Sequence, residues 1–382
     1  METPIPQRGC IMTRKVLIVG PSWVGDMVMA QALFMSLQAD ALAGGQILSI
    51  DVLAPVWSRP LLERMPEVRR AIDLPFQHGE LNLRGRYRLG HSLRSEGYDQ
   101  VIVLPNSFKS ALLPLFVGVS RRTGWRGEAR GLLLSDVRDL DKQALPLMVQ
   151  RFVALGRADG EPLPSPLPRP HLVTEADSVA QALQAMQLQI EQPVLAICPG
   201  AEFGDAKQWP AQHYASVSAA LIAMGWQVWI MGSKKDNDVA SHILRELDDS
   251  ERHACHDLTG RTSLGQAIDL MSVAKAVVSN DSGLMHVAAA LGRPVVAMYG
   301  SSSADFTPPL TDQVQLLSID IDCRPCFKRV CPLGHKRCLV DLSPEMAFAA
   351  LAQLVDIEQS TQQGVSTVDE HSAGERGTFC ES

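Results

Sequence analysis

No apolar run in the 382-residue sequence approaches the roughly 20 residues needed to cross a bilayer. The N-terminal METPIPQRGCIMT lacks the apolar core of a secretory signal, so a cytoplasmic protein is expected. Eight cysteines in such a compartment do not imply a disulfide scaffold. The first strand-to-helix turn has no G-x-G-x-x-G fingerprint, and neither a G-x-x-x-x-G-K-S/T loop nor a Tyr-x-x-x-Lys pair occurs. These absences argue against a dinucleotide-dependent dehydrogenase or epimerase and against a nucleotide triphosphatase. The basic stretches have no interleaved aromatics and no nucleic-acid motif, which argues against a nucleic-acid groove. Short-period repeats are missing too.

What is present is an ordinary globular composition, 46% hydrophobic and 20% charged, with chain enough for two domains. Apolar β-rich runs at Lys15–Gly20, Ile47–Ala54 and Asp99–Leu104 alternate with helical stretches at Met27–Leu42, Val56–Met65 and Phe108–Phe116. That rhythm predicts a parallel α/β sheet. Glu161–Pro170 then holds five prolines in ten residues, a stiff extended linker. After it the rhythm restarts at Ala176–Gln189, Pro193–Cys198, Pro210–Met224 and Trp226–Met231. The expected layout is a disordered lead-in (1–13), a first Rossmann-like domain (14–160), the Pro-rich linker (161–172), a second Rossmann-like domain (173–357) and a disordered acidic tail (358–382). Two doubly wound domains should leave a cleft between facing sheet edges, where ligands sit. Charge divides likewise: residues 1–160 carry 20 Lys and Arg against 15 Asp and Glu, whereas the whole chain has net charge −7. The basic first half, with its clusters at Arg84–Arg94 and Arg121–Arg130, should therefore meet an anionic partner, a phosphorylated acceptor or a membrane surface.

Three strand ends carry the candidate chemistry. In AVVSNDSGLMHVAAALGRPVVAMYG (276–300) a buried strand ends at Asn280-Asp281, and Ser282-Gly283 opens a helix. A helix start offers unpaired N–H groups and a positive dipole end to a phosphate. A carboxylate there suits sugar hydroxyls instead, and His286 lies one turn further along the same face. At the end of the strand 193–198, Cys198-Pro-Gly-Ala-Glu-Phe-Gly-Asp-Ala-Lys-Gln-Trp-Pro210 presents Lys207, well placed to neutralise a diphosphate. Gly25-Asp26 stands at the corresponding edge of the first domain. An ionised Asp26 at a helix start could be a cap, or a general base on the cleft.

Taken together, Lys15–Asp26, Leu104–Ser110, Thr123–Gly127, Pro199–Pro210 and Ser279–Phe306 resemble the ADP-heptose:lipopolysaccharide heptosyltransferases, with the second-acting members the nearer match. The resemblance runs in order over about residues 12–355, and S-W-V-G-D combined with D-S-G-x-x-H is its most specific part. It implies a GT-B fold and an inverting transfer of L-glycero-D-manno-heptose from ADP-heptose to the first heptose of the lipopolysaccharide inner core, heptosyl-Kdo₂–lipid A. Transfer onto Kdo₂–lipid A, or a non-catalytic nucleotide-sugar binder, are the alternatives. By the same resemblance Asp26 is the catalytic base, and Lys207, Asp281, Ser282, Gly283, His286 and Thr262 bind the donor. Asn106, Lys109 and Arg126 face the acceptor. It also implies a metal-independent enzyme with no cofactor beyond the donor itself, working in the cytoplasm at the periphery of the inner membrane.

Two features depart from this pattern or stand outside it. The family tends to read Gly-Pro-Ala-Lys-Arg-Trp-Pro where this chain has Gly204-Asp205-Ala206-Lys207-Gln208-Trp209-Pro210. An acid two residues from Lys207 should weaken diphosphate affinity unless its side chain points away. Separately, Cys323, Cys326, Cys331 and Cys338, with His335 between them, have spacings compatible with tetrahedral structural zinc. Reduced surface thiols in a loop are the alternative.

Overall fold

In the computed structural model residues 13–76 and 79–357 are described; the expected lead-in, apart from Thr13, and the acidic tail lie outside them. Twelve strands form two six-stranded sheets. The first holds β1 (Thr13–Val19), β2 (Ile47–Pro55), β3 (Val68–Leu74), β4 (Gln100–Val103), β5 (Arg121–Trp125) and β6 (Asp136–Arg138). The second holds β7 (Val194–Cys198), β8 (Gln227–Ile230), β9 (Cys255–Asp257), β10 (Ala276–Asn280), β11 (Val295–Met298) and β12 (Val314–Leu317).

Every strand pair is parallel. The orders are β3-β2-β1-β4-β5-β6 and, read from the other edge, β9-β8-β7-β10-β11-β12. Both are the doubly wound 3-2-1-4-5-6 arrangement, so strand order reverses between β1 and β4 and again between β7 and β10. Residues 16–19 and the whole of β7 and β10 are buried, as expected where helices cover both faces of a parallel sheet.

The helix Val24–Ala43, which follows β1, is apolar nearly all round. Met27, Val28, Met29, Ala30, Ala32, Leu33 and Phe34 are all buried, the signature of a helix packed on more than one side. It rests on its own sheet and also against the helix Gly283–Ala290 behind β10, so one hydrophobic core runs through both sheets. Glycine permits this approach. A Cβ on Gly283 would lie 2.7 Å from Val24 Cβ, and one on Gly25 would lie 2.6 Å from His286 Cδ2. At this point the expected cleft is closed, because the two helices meet directly.

Polar ties hold the same seam. The buried Gln31 donates to His171 O (2.6 Å) and accepts from His171 N (2.9 Å), while Leu172 N donates to Ala290 O at 3.0 Å. The proline-rich segment is thus anchored where it crosses. Arg64 grips Asp269 through two nitrogens at 2.6–3.1 Å, with side chains only 16% and 5% exposed.

The expected helix Val56–Met65 is shorter than its apolar content suggests. A 3-10 turn at Val56–Ser58 leads into Arg59–Leu62, with Pro60 in the first turn, and the chain then reverses into β3.

Removing one partner of a buried ion pair strands the other charge. Arg64→Ala should therefore destabilise the fold by roughly 3 kcal/mol, measured by denaturant unfolding. A change within error would mean the pair contributes nothing to holding the sheets together.

Candidate active site

All the strand-end residues singled out above sit at the two switch points, where ligands bind in open α/β sheets. Asp26 follows β1, Asn106 follows β4, Lys207 follows β7 and Asp281 follows β10.

Asp26 occupies the first turn of its helix but does not cap it. Trp23 is the N-cap, without a side-chain hydrogen bond, and the Asp26 carboxylate has no hydrogen-bond partner among the described residues. Burial is the main force lifting its pKa from the ordinary 3.8 to about 6; the Lys207 ammonium opposes the shift and the Asp281 charge adds to it. Asp26, on the first sheet's side, therefore feels the charges of two groups that follow strands of the second.

Lys207 ends the 3-10 turn Asp205–Lys207, and its ammonium meets Asp281 Oδ2 at 2.5 Å. Ser302 donates to the same oxygen, also at 2.5 Å. Ser282 caps the helix Gly283–Ala290 by accepting from Met285 N, with Gly283 as its first residue. The Lys207 ammonium, the Asp281 carboxylate and a helix N-terminus thus converge at one strand end.

His286 is fully enclosed and its ring lies against Gly25. Burial pushes its pKa down to about 4 despite the nearby Asp281, so it is neutral. In this structure it packs between the two helices. Thr262 lies half-buried in the bend before the helix Leu264–Met271.

On the acceptor side Asn106 is held rather than free. Its Oδ1 accepts from Arg130 Nη2 at 2.9 Å. Arg130 is completely buried and donates besides to the carbonyls of Pro105 and Trp125. Arg86 similarly donates to the carbonyls of Glu80 and Leu81, and Arg122 to those of Val119 and Leu133. These arginines are framework, which corrects the expectation that both basic clusters as a whole face an anion. Arg126 pairs with Asp139 on the surface at 2.5 Å, and an exposed pair of this kind exchanges readily. Lys109 is half-buried.

Cys323, Cys326, Cys331, Cys338 and His335 do line one small cavity, and the four thiols are free. However, no three His, Cys, Asp or Glu side chains among the described residues are arranged to hold a metal ion. The zinc expectation finds no support in this geometry.

The family model for glycosyltransferase family 9 (heptosyltransferase) matches residues 86–337. The chain belongs to this family. It is 47% identical over 351 residues to lipopolysaccharide heptosyltransferase 2 of Escherichia coli (strain K12), covering 91% of this chain and all of that one. It is 44% identical to lipooligosaccharide heptosyltransferase 2 of Haemophilus influenzae, over 89% of this chain and 99% of the other. Among solved structures, E. coli ADP-heptose lipopolysaccharide heptosyltransferase II superposes with a TM-score of 0.80 at 46% identity, covering 89% and 98%. A family 9 glycosyl transferase from Veillonella parvula superposes at 0.74 and 20% identity, covering 89% and 97%; that likeness concerns the fold. The protein is accordingly a GT-B glycosyltransferase of the heptosyltransferase family.

One residue of this heptosyltransferase's site escapes sequence reasoning. Asn280, fully buried at the end of β10, accepts from Trp209 N and Tyr214 OH (both 3.0 Å) and donates to Pro199 O at 2.7 Å. It ties both ends of the Lys207 loop to the strand that carries Asp281. Asn280→Ala would leave these groups unpaired in a dry site, each at about 1–3 kcal/mol. The variant should unfold at least roughly 2 kcal/mol earlier in denaturant titrations; wild-type stability would show that the loop holds without it.

Proposed function

We propose that the chain transfers L-glycero-D-manno-heptose from ADP-heptose to the heptose of heptosyl-Kdo₂–lipid A, with inversion at the anomeric carbon. The observation that carries this reading is Asp26, a carboxylate with raised proton affinity and no partner of its own, set within the field of Lys207 and Asp281. In the reaction Asp26 takes the proton of the acceptor hydroxyl as its oxygen bonds to the anomeric carbon. The bond from that carbon to the diphosphate oxygen breaks on the opposite face, and its electron pair leaves with ADP. Lys207 and the N–H groups at Ser282-Gly283 stabilise that charge, and Asp281 accepts hydrogen bonds from heptose hydroxyls. Lys207 and Asp281 pair with each other, so the donor's phosphates and hydroxyls compete for both.

The acceptor lies in a membrane leaflet, and we place the docking face on the helices Leu83–Ser92 and Phe108–Val117. Leu83, Tyr87 and Phe108 are exposed there beside Arg84 and Arg88, apolar and cationic groups that suit an anionic surface on the cytoplasmic side. No helix among the described residues is long and apolar enough to cross a membrane.

Purified enzyme given ADP-heptose should release ADP with an acceptor bearing one heptose and not with one bearing none. The reverse preference would favour transfer onto Kdo₂–lipid A, and no release with either would favour a binder. Asp26→Asn should lower kcat about 10²–10⁴-fold while leaving ADP-heptose affinity unchanged; equal loss of both would make Asp26 structural.

Two further outcomes follow from the raised pKa. Because the base must be ionised, log kcat/KM should fall with unit slope as pH drops through about 6. Between 3.8 and about 6 the folded chain binds the Asp26 proton more tightly than the unfolded chain does. Ionisation above that window therefore destabilises the fold, and Asp26→Asn should raise the Tm at pH 7.5. An unchanged or lower Tm would contradict the burial cost.

A further inference from the structure

The cation census around the Lys207 loop is one charge short for a diphosphate. A sugar diphosphate ester is a dianion and gains further charge on the leaving group as the sugar departs. Lys207, the residue assigned to it, is already matched by Asp281. The other lysines touching the same loop are matched as well: Lys336 meets Asp205 at 2.7 Å and Lys235 meets Glu202 at 2.5 Å.

One cation touching this loop is left without a carboxylate partner among the described residues. The guanidinium of Arg329 stands 5.3 Å from the centre of the Phe203 ring, and the same ring has the Lys207 ammonium at 5.1 Å. Two like charges held on one aromatic ring repel each other unless an anion joins them, and the ring's quadrupole attracts each of them into place. The backbone fixes Arg329 there independently of its side chain. Ala206 N donates to Arg329 O at 3.1 Å, and a Cβ on Gly204 would lie 2.8 Å from Arg329 Cα, so only glycine allows the contact. Phe327 N donates to Ser301 O at 2.7 Å, next to the Ser302 that holds Asp281. The cysteine-bearing loop is therefore seated against the donor site at both ends of this stretch.

We propose that Arg329 is a second diphosphate-binding residue, which with Lys207 clamps the donor's phosphates over the Phe203 ring. The inference rests on the donor reading above and extends it to a loop that reading did not use. A guanidinium suits the task, since its planar fork can engage two phosphate oxygens at once.

Calorimetric titration with ADP, AMP and adenosine, on wild type, Arg329→Ala, Arg329→Lys and Lys207→Ala, tests it. Arg329→Ala should weaken ADP binding about tenfold, a loss of roughly 1.4 kcal/mol, with a smaller loss for AMP and none for adenosine. Arg329→Lys should recover part of the loss, and KM for ADP-heptose should rise in parallel. The proposal is overturned if Arg329→Ala binds ADP like wild type while Lys207→Ala does not. Equal weakening of adenosine, which has no phosphate, would also overturn it by showing a disturbed loop. A wild-type chain that binds no ADP would bring down the donor reading together with this one.

Discussion

Two glycines set the distance on which the catalytic arrangement depends. Gly25 and Gly283 lie on facing helices, one behind β1 and one behind β10, and each is packed where a methyl group would collide with the other helix. With no side chain in the way, the helix starts come close enough for Asp26 to feel Lys207 and Asp281 directly. A general base must reach the proton it abstracts at hydrogen-bond range. The proposed transfer therefore depends on this approach, and the shared hydrophobic core, the Gln31–His171 tie and the Arg64–Asp269 pair all act to hold it.

This closeness has an electrostatic consequence. Packing removes water from Asp26 and from His286, and each responds by favouring its neutral form: the carboxyl is pushed up to about 6 and the imidazole down to about 4. His286 is thus neutral and packed between the two helices.

Sequence patterning revealed the elements buried on both faces and missed those that carry charge. β1, β4, β7 and β10 are short runs of apolar residues, legible because parallel strands under two helical layers must be so. β3 and β5 begin with or contain paired arginines and look like loops. Arg69 and Arg70 in β3 are accommodated because the buried Asp51 of β2 accepts from both. At the candidate site, Asp26, Lys207 and Asp281 could be picked out because each stands in the connection that follows a strand. Asn280, Arg130 and Arg329 could not. Their roles depend on backbone carbonyls, amides or rings brought from distant loops, and residue type alone does not reveal such partners.

Asp205 shows how a local departure is absorbed by a remote residue. Beside Lys207 its charge should compete with a diphosphate, yet the side chain turns to Lys336 on the cysteine-bearing loop. That pair is partly exposed on both sides, so its own contribution to stability is small. Its consequence is positional. With Asp205 satisfied from outside, the 3-10 turn can present Lys207 inward, and the same loop brings Arg329 to the Phe203 ring that Lys207 also meets. A charge that looked harmful in the sequence thus becomes an attachment point for the loop that packs against Lys207's turn.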